Sequence, residues 1–477
     1  MRTSFRHSLL LPAIVLALAI PSIGALAREP LSTKPLPIPA HGVTGVEDAQ
    51  LDPAFWIARL GADADAALLD SDAIAAKNTA MLAKDPTIFD LAALPASLPQ
   101  ADVRKWIEDL SSRPTRTMYD ERHQVVPATT FDGLVDALAL DAIPASTTPR
   151  YALVAERTSL RTFPTALRVF SSDDDTDIDR FQESALFPGT PVAILHASRD
   201  GKWAFVVSRR YRAWAPMAQL ATGPRDVVLG FASKSPYRIV TGAKVRTTWT
   251  PELPQASDRS LDMSVRLPLA DIAPDALVNG QHPYSAWAVQ LPVREADGTL
   301  RLAPALLPKI GDTQAAPLPL THANILRQAF KFLGERYGWG HDYDARDCSG
   351  FVSEVYASMG VLMPRNTRDQ ARSPALHKTL FDDASTKAQR EAAVAALQVG
   401  DLVYIPGHVM MMIGTIDGQP YVIHDTNGGT MRARDGKLRS LHLNGVSVTP
   451  LLPLMFDDTH RYVDRMTSVV RVATRDP

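Results

Sequence analysis

The chain has 477 residues, with 50 Lys and Arg against 52 Asp and Glu, a formal net charge of −2. Hydrophobic residues make up 45% of it, enough apolar residue to fill several cores. That balance excludes nucleic-acid binding by counterion release, and at roughly 100–200 residues per domain the length suggests three or four domains.

Residues 1–27 read as a secretory signal peptide. Arg2 and Arg6 form a positive n-region, LLLPAIVLALAI (9–20) a short apolar h-region, and Ala25-Leu26-Ala27 an A-x-A cleavage site. The apolar run is too short for a stable membrane span, so no stable insertion is expected after cleavage. An uncleaved anchor is the alternative. The expectation is an exported protein, in the periplasm or fully secreted, whose mature charge is 48 − 52 = −4.

Residues 28–44 carry four prolines and no periodicity, an extended arm. Residues 45–147 are mostly helical in pattern: DPAFWIARL, ADVRKWIEDL and FDGLVDALAL repeat apolar residues at helical spacing. The texture changes near 148. LRVFSS, TPVAILHAS, GKWAFVVS and YRAWAPMAQL are short β-rich runs separated by Gly, Pro, Asp and Ser, as in a small barrel or sandwich over 148–223. VVLGFAS, AKVRTTWT, DMSVRLPLA and YSAWAVQLPV form a second such block over 224–302, which suggests a tandem pair of small barrels.

Residues 303–320 contain four prolines and read as a linker. Beyond it, in 321–477, Thr321 can cap a helix bearing Leu326, Phe330 and Leu333. After Cys348, the residues Phe351, Val352, Val355, Tyr356 and Met359 line one helical face closed by Gly360. DLVYI, HVMMMIG, QPYVIHDT and SVVRVAT are strand-like. Helices first and strands afterwards indicate an α+β domain.

Cys348 is the only cysteine among the 477 residues. An exported protein meets oxidising conditions, where a leftover thiol is reactive or intermolecular. A buried, inert cysteine is the alternative. Its position in the first turn of a helix argues for a lowered pKa, because the free backbone N–H groups there stabilise a thiolate. A reactive cysteine needs a base nearby in space. Of twelve histidines, His408 suits best, since it starts a strand just after Pro406-Gly407. A three-residue loop Ile416-Asp417-Gly418 would pair Thr415 with Gln419 and put Met410 opposite His424. His408 and His424 then share a face as diagonal neighbours, and the second imidazole can hold the tautomer of the first. A one-residue slip would separate them. Structural histidines and a zinc site built from one Cys and two His remain alternatives, although no HExxH, Cys-x-x-Cys or carboxylate cluster supports a metal. DYDARDCSG lacks the Gly and Glu of a calcium loop, and no cofactor-binding phosphate loop or dinucleotide fingerprint is present.

YGWG…DCSGFV (337–352), PRNTRDQ (364–370), GDLVYI (400–405), HVMMMIG (408–414) and YVIHD (421–425) resemble the successive blocks of the NlpC-type cell-wall peptidases, which are papain-like cysteine peptidases. The resemblance covers about 320–477. It implies Cys348 as nucleophile, His408 as base and His424 as orienting residue, with the Cys348 N–H and Tyr337 at the oxyanion hole and Trp339 beside them. His341 departs from the family's usual glycine and is expected at the pocket lip. RFQESALFPGTPVAIL and DGKWAFVVSRRYRAWAP resemble the first bacterial SH3-type barrel of multidomain members, which carry a helical N-terminal domain, two such barrels and a C-terminal peptidase. Those members are γ-D-glutamyl-diamino-acid endopeptidases acting on stem peptides (L-Ala-γ-D-Glu-diamino acid) with a free N-terminal L-alanine. The resemblance implies that Glu183 reads that amine with Tyr211 as companion, and that Asp347 and Ser349 contact the peptide terminus. A hydrolase of intact wall with the barrels as binding modules, and an inactive wall-binding protein, are the rival readings.

Overall fold

In a computed structural model of the chain, residues 31–32, 42–432 and 435–474 are described. The signal peptide and most of the arm lie outside them. Among the described residues no helix is long and apolar enough to cross a membrane.

The N-terminal helices begin where capping residues put them. Pro53–Leu60 follows Asp52, whose side chain accepts from Ala54 N, with proline at the first position. Ser71–Lys84 is capped by Asp70 in the same way. Gln100–Leu110 and Ala128–Ala137 follow. These four helices do not share one core. Trp56, Leu69 and Met81 pack with the C-terminal helices and sheet, whereas Val103, Ile107, Phe131 and Leu134 pack into the cluster that fills the first β-rich region. The stretch expected as one helical domain is divided between two neighbours. Periodicity shows which face is apolar but not what covers it.

The first β-rich region is one seven-stranded antiparallel sheet, running Gln182–Leu186, Thr158–Arg161, Arg212–Pro216, Trp203–Val207, Pro191–Ala197, Arg150–Val154 and Leu220–Thr222. Phe163, Phe181, Phe205 and Trp214 fill its core. The second block forms three small sheets rather than one: Tyr237–Val240 between Arg266–Pro268 and Thr313–Gln314, Lys244–Arg246 with Ser260–Asp262, and the ribbon of Ala286–Arg294 with Leu300–Pro308. Residues 303–308, expected as the start of a linker, are therefore strand, and Thr313 pairs back to Val240. The prolines misled because Pro304 and Pro308 sit in a two-stranded ribbon. Each strand there is an edge, where a missing N–H removes no ladder bond if it faces outward.

In the C-terminal region Thr321 caps His322–Phe330 by accepting from Asn324 N, as its position predicts. Cys348–Ala357 lays Phe351, Val352 and Val355 on Val409, Met411, Ile423 and Val448 of a six-stranded sheet. That sheet runs His377–Leu380, Ser468–Arg471, Leu402–Ile405, His408–Ile416, Gln419–Thr426 and Gly445–Pro450. Gly360 has the expected left-handed conformation (φ 83°), two residues beyond the Ser358 cap.

Arg346 ties the second β block to this region. Its fully buried guanidinium donates to Glu354 Oε2 (2.7 Å), Glu335 Oε1 (2.8 Å), Asp262 Oδ1 (2.9 Å) and the Ala243 carbonyl (3.1 Å). A buried cation is tolerated only when its donors are filled and its charge is matched. Truncation would strand three carboxylates in a dry interior. Arg346→Ala is expected to lower stability by about 3–5 kcal/mol in urea unfolding. A loss below about 1 kcal/mol, the level of an exposed pair, would contradict this picture.

Candidate active site

Cys348 is the first residue of its helix, and Asp347 is the N-cap, accepting from Gly350 N at 2.8 Å. The thiol is buried at 4% exposure. Thr367 Oγ1 stands 3.7 Å from the sulfur, and the Val409 N–H faces it. Sγ thus lies where the starts of two helices, Cys348–Ala357 and Thr367–Arg372, meet the start of the His408 strand. The expected lowering of the thiol pKa is not found. Burial pushes the Cys348 thiol up to about 12, and the Asp347 carboxylate pushes the same way. Burial outweighs the helix position, and the residue that caps this helix is itself an anion, so the first-turn N–H groups already share their field with a carboxylate.

His408 Nε2 and His424 Nδ1 are hydrogen-bonded at 2.8 Å. The route to this pairing differs from the expected one. A two-residue turn, Asp417-Gly418, pairs Ile416 with Gln419, and both turn residues are left-handed (φ 49° and 74°). An irregularity between Met412 and Gly414 then shifts the register by one, so Met411 faces Ile423. One step further along, Met410 comes opposite His424. The shorter turn and the bulge cancel. The glycine at the bulge has a packing reason, since a Cβ on Gly414 would stand 2.7 Å from Trp56 Cε3. His424 Nε2 in turn bonds Thr449 Oγ1 at 3.0 Å. Burial lowers His408 to about 4, and burial followed by His408 lowers His424 well below the ordinary imidazole value. Both rings are neutral at neutral pH.

Tyr337 and Trp339 line, with His408, a cleft of about 480 Å³ that continues past Asn427, Thr430 and Ser440. Burial, then the neighbouring Cys348, raises the Tyr337 phenol well above its usual value. Asp347 and Ser349 are both engaged within the protein, and one expectation, for His341, is corrected here. Asp347 accepts from Gly350 N, Gly340 N (3.0 Å) and both terminal nitrogens of buried Arg365 (2.7 and 3.1 Å), and Ser349 Oγ accepts from Arg365 at 3.0 Å. Burial alone would raise the Asp347 carboxyl, but Arg365 beside it holds it at about 2. His341 is not at the lip. It is 2% exposed, between Arg365 (2.7 Å) and Glu354 (2.9 Å), with Gly350 leaving room for its ring.

Arg365 Nε also donates to Ser184 Oγ (2.7 Å) on the edge strand of the first sheet, and Trp339 Nε1 donates to the Gln182 carbonyl (3.1 Å) on the same strand. Between them lies Glu183, which accepts from Thr162 Oγ1 (2.6 Å) and from the Tyr211 hydroxyl. Tyr211 also bonds Asn366, next to Thr367. The sequence-predicted pair therefore stands one short chain of contacts from the sulfur. Arg365, Thr367 and Thr449 were not anticipated. The first two lie in PRNTRDQ, a block that carried resemblance but no assigned role, and Thr449 had no signal at all. Asp425, fully buried beside His424 in sequence, has neither carboxylate oxygen hydrogen-bonded. Burial, then Asp347 and Glu335, raises its pKa well above the usual range.

Residues 334–445 match the NlpC/P60 family, and residues 168–216 match an SH3 domain of the SH3b1 type. A "Probable endopeptidase" of Corynebacterium glutamicum (strain R) is 31% identical over 120 residues, 25% of this chain and 49% of that protein. "Dipeptidyl-peptidase 6" of Lysinibacillus sphaericus is 28% identical over 107 residues, 22% of this chain and 33% of that protein. The chain thus spans half or less of the length of these curated relatives. An NlpC/P60 endopeptidase structure from Photobacterium damselae subsp. piscicida shares the fold, with TM-score 0.70 and 16% identity over 87% of this chain and 96% of that one.

The raised thiol pKa has a direct readout. Iodoacetamide labelling of Cys348 in the folded protein should be slow at pH 7 and still accelerating above pH 9, whereas the unfolded chain levels off near its unperturbed pKa of about 8.5. A labelling rate that is already flat between pH 5 and 7 would mean a resting thiolate and contradict the geometry described.

Proposed function

Proceeding from an NlpC/P60 domain over residues 334–445 and an SH3 domain over 168–216, we propose that the protein is an exported cysteine endopeptidase of peptidoglycan turnover. It cleaves the bond between γ-D-glutamate and the diamino acid in stem peptides whose L-alanine amine is free. The observation that carries this reading is the 2.8 Å bond between His408 Nε2 and His424 Nδ1, on the strand whose Val409 N–H faces the Cys348 sulfur.

With Nε2 engaged, His408 has Nδ1 left to take the thiol proton. The substrate-free site rests as neutral thiol and neutral imidazole. The pair becomes charged only as the sulfur attacks the γ-carbonyl carbon and electron density moves to its oxygen. The Cys348 N–H and the Tyr337 hydroxyl are the donors assigned to that oxygen. His408 then returns its proton to the leaving amine, and water hydrolyses the thioester with His408 again as base.

Glu183 sets which stems enter. A stem released from its sugar presents an ammonium group, and an attached stem presents an amide. A carboxylate beside that nitrogen favours the first, because leaving it unpaired in a water-poor cleft costs several kcal/mol. Tyr211 and Thr162 hold Glu183 in place. We read the second β block as a further barrel-like module that braces the peptidase region through Asp262 and Arg346. The product released is L-Ala-γ-D-Glu.

Three measurements with L-Ala-γ-D-Glu-diaminopimelate test this together. Cys348→Ala should abolish hydrolysis. Glu183→Gln should raise KM about tenfold or more, a loss of roughly 1.4 kcal/mol, with thiol labelling unchanged. N-acetylation of the substrate should impose a similar defect on the wild type. Equal turnover of free and acetylated peptide would remove the gatekeeping role and favour a hydrolase of intact wall.

A further inference from the structure

The row of side chains that begins at His408 does not end at His424. Three adjacent antiparallel strands each supply one member: His408–Ile416, Gln419–Thr426 and Gly445–Pro450. Thr449 pairs with Val422 and Ser447 with His424, so Thr449 is the diagonal neighbour of His424 on the same face. Its side chain is fully buried, and its Oγ1 stands 3.0 Å from His424 Nε2. No carboxylate closes the row. Asp425, the next residue on the His424 strand, points to the opposite face.

Hydrogen counting gives this hydroxyl a direction. When the Cys348 S–H bond breaks and an N–H bond forms at His408 Nδ1, the resulting imidazolium carries protons on both nitrogens. Its Nε2–H must then donate to His424 Nδ1, which has to be the unprotonated nitrogen of a neutral ring. The single proton of His424 is then on Nε2, and Thr449 Oγ1 must accept it. The opposite order, with Thr449 donating to Nε2 and His424 Nδ1–H donating to His408, would put the resting proton of His408 on the very nitrogen that must take one from the thiol.

We propose that Thr449 is a positioning residue that holds His424 in its Nε2–H tautomer and thereby keeps His408 Nδ1 free as the base. This rests on the reading of His408 as the base of a cysteine peptidase. Because the row ends in a neutral hydroxyl, it orients the imidazole without lending it a countercharge. The only countercharge the base then meets in the reaction is the developing oxyanion.

The test compares full-length Thr449→Val, which keeps the shape and removes the oxygen, with Thr449→Ser, which keeps the oxygen. Thr449→Val should lower kcat on L-Ala-γ-D-Glu-diaminopimelate by roughly 10- to 100-fold, the cost of leaving one buried donor unpaired, with KM little changed. Thr449→Ser should recover most of that loss. Ring ¹⁵N spectra of histidine-labelled protein should show His424 protonated at Nε2 in the wild type and in Thr449→Ser, and a mixture of tautomers in Thr449→Val. Equal losses in both variants, an undiminished kcat in Thr449→Val, or a wild-type His424 protonated at Nδ1 would each overturn the proposal. The spectra need no turnover. If Cys348→Ala still hydrolyses the peptide, or if the wild type does not, the peptidase reading fails while the tautomer measurement still decides the role of Thr449. If Thr449→Val does not fold, the wild-type and Thr449→Ser spectra carry the decision.

Discussion

The cleft depends on one buried guanidinium. Arg365 reaches Asp347 with two nitrogens, Ser349 and His341 in the same region, and Ser184 on the neighbouring sheet. A buried arginine on this scale requires every donor to be met, so the five groups fix one another. Asp347 then fixes the start of the Cys348 helix, and the edge strand Gln182–Leu186 is held against the segment that carries Asn366 and Thr367. Glu183 follows from this placement. Its neighbours on both sides are committed to the seam, Gln182 to Gly340 and Trp339 and Ser184 to Arg365, while its own carboxylate is held by hydroxyls of the first sheet.

A second buried arginine does for the second β block what Arg365 does for the first. Arg346 gathers Asp262, Glu335 and Glu354, and Glu354 also bonds His341, so the two guanidiniums are joined through one imidazole. Burial and Arg365 keep that imidazole neutral. On the opposite flank Trp56 occupies the space that Gly414 leaves open, beside the bulge on which the His408 register depends. Elements from the whole described chain therefore converge on a site whose chemistry sits in one region. Polar groups hold the barrel side, where a substrate terminus would be read, and an aromatic ring holds the side where only register matters.

Much of this was legible in the residues. An isolated cysteine at a helix start and two histidines flanking a Gly turn were sufficient to mark Cys348 and to pair His408 with His424. The pairing of Met410 with His424 came out although the turn was one residue shorter than expected, because a bulge restored what the turn removed. Neither the bulge nor the packing beside it could be read locally, since Trp56 lies more than 350 residues away in sequence from Gly414. The thiol pKa was misjudged for a similar reason. Helix position and the neighbouring Asp347 are local properties, but the burial that contributes most to the shift is not. Asp347 and Ser349 were singled out by the resemblance, and only the fold shows that Arg365 donates to both. The prolines of 303–308 looked like a linker because composition does not reveal an edge ribbon.

The central claim is that a stem peptide lies in this cleft with its ammonium on Glu183 and its γ-glutamyl carbonyl at residue 348. A crystal structure of Cys348→Ala with L-Ala-γ-D-Glu-diaminopimelate bound tests it most directly. The alanine nitrogen should lie within hydrogen-bonding distance of the Glu183 carboxylate, near the Tyr211 hydroxyl, with the diamino acid in the cleft lined by Trp339, Asn427 and Ser440. A peptide running the other way, with its amine among Asn427 and Ser440 and nothing against Glu183, would contradict it.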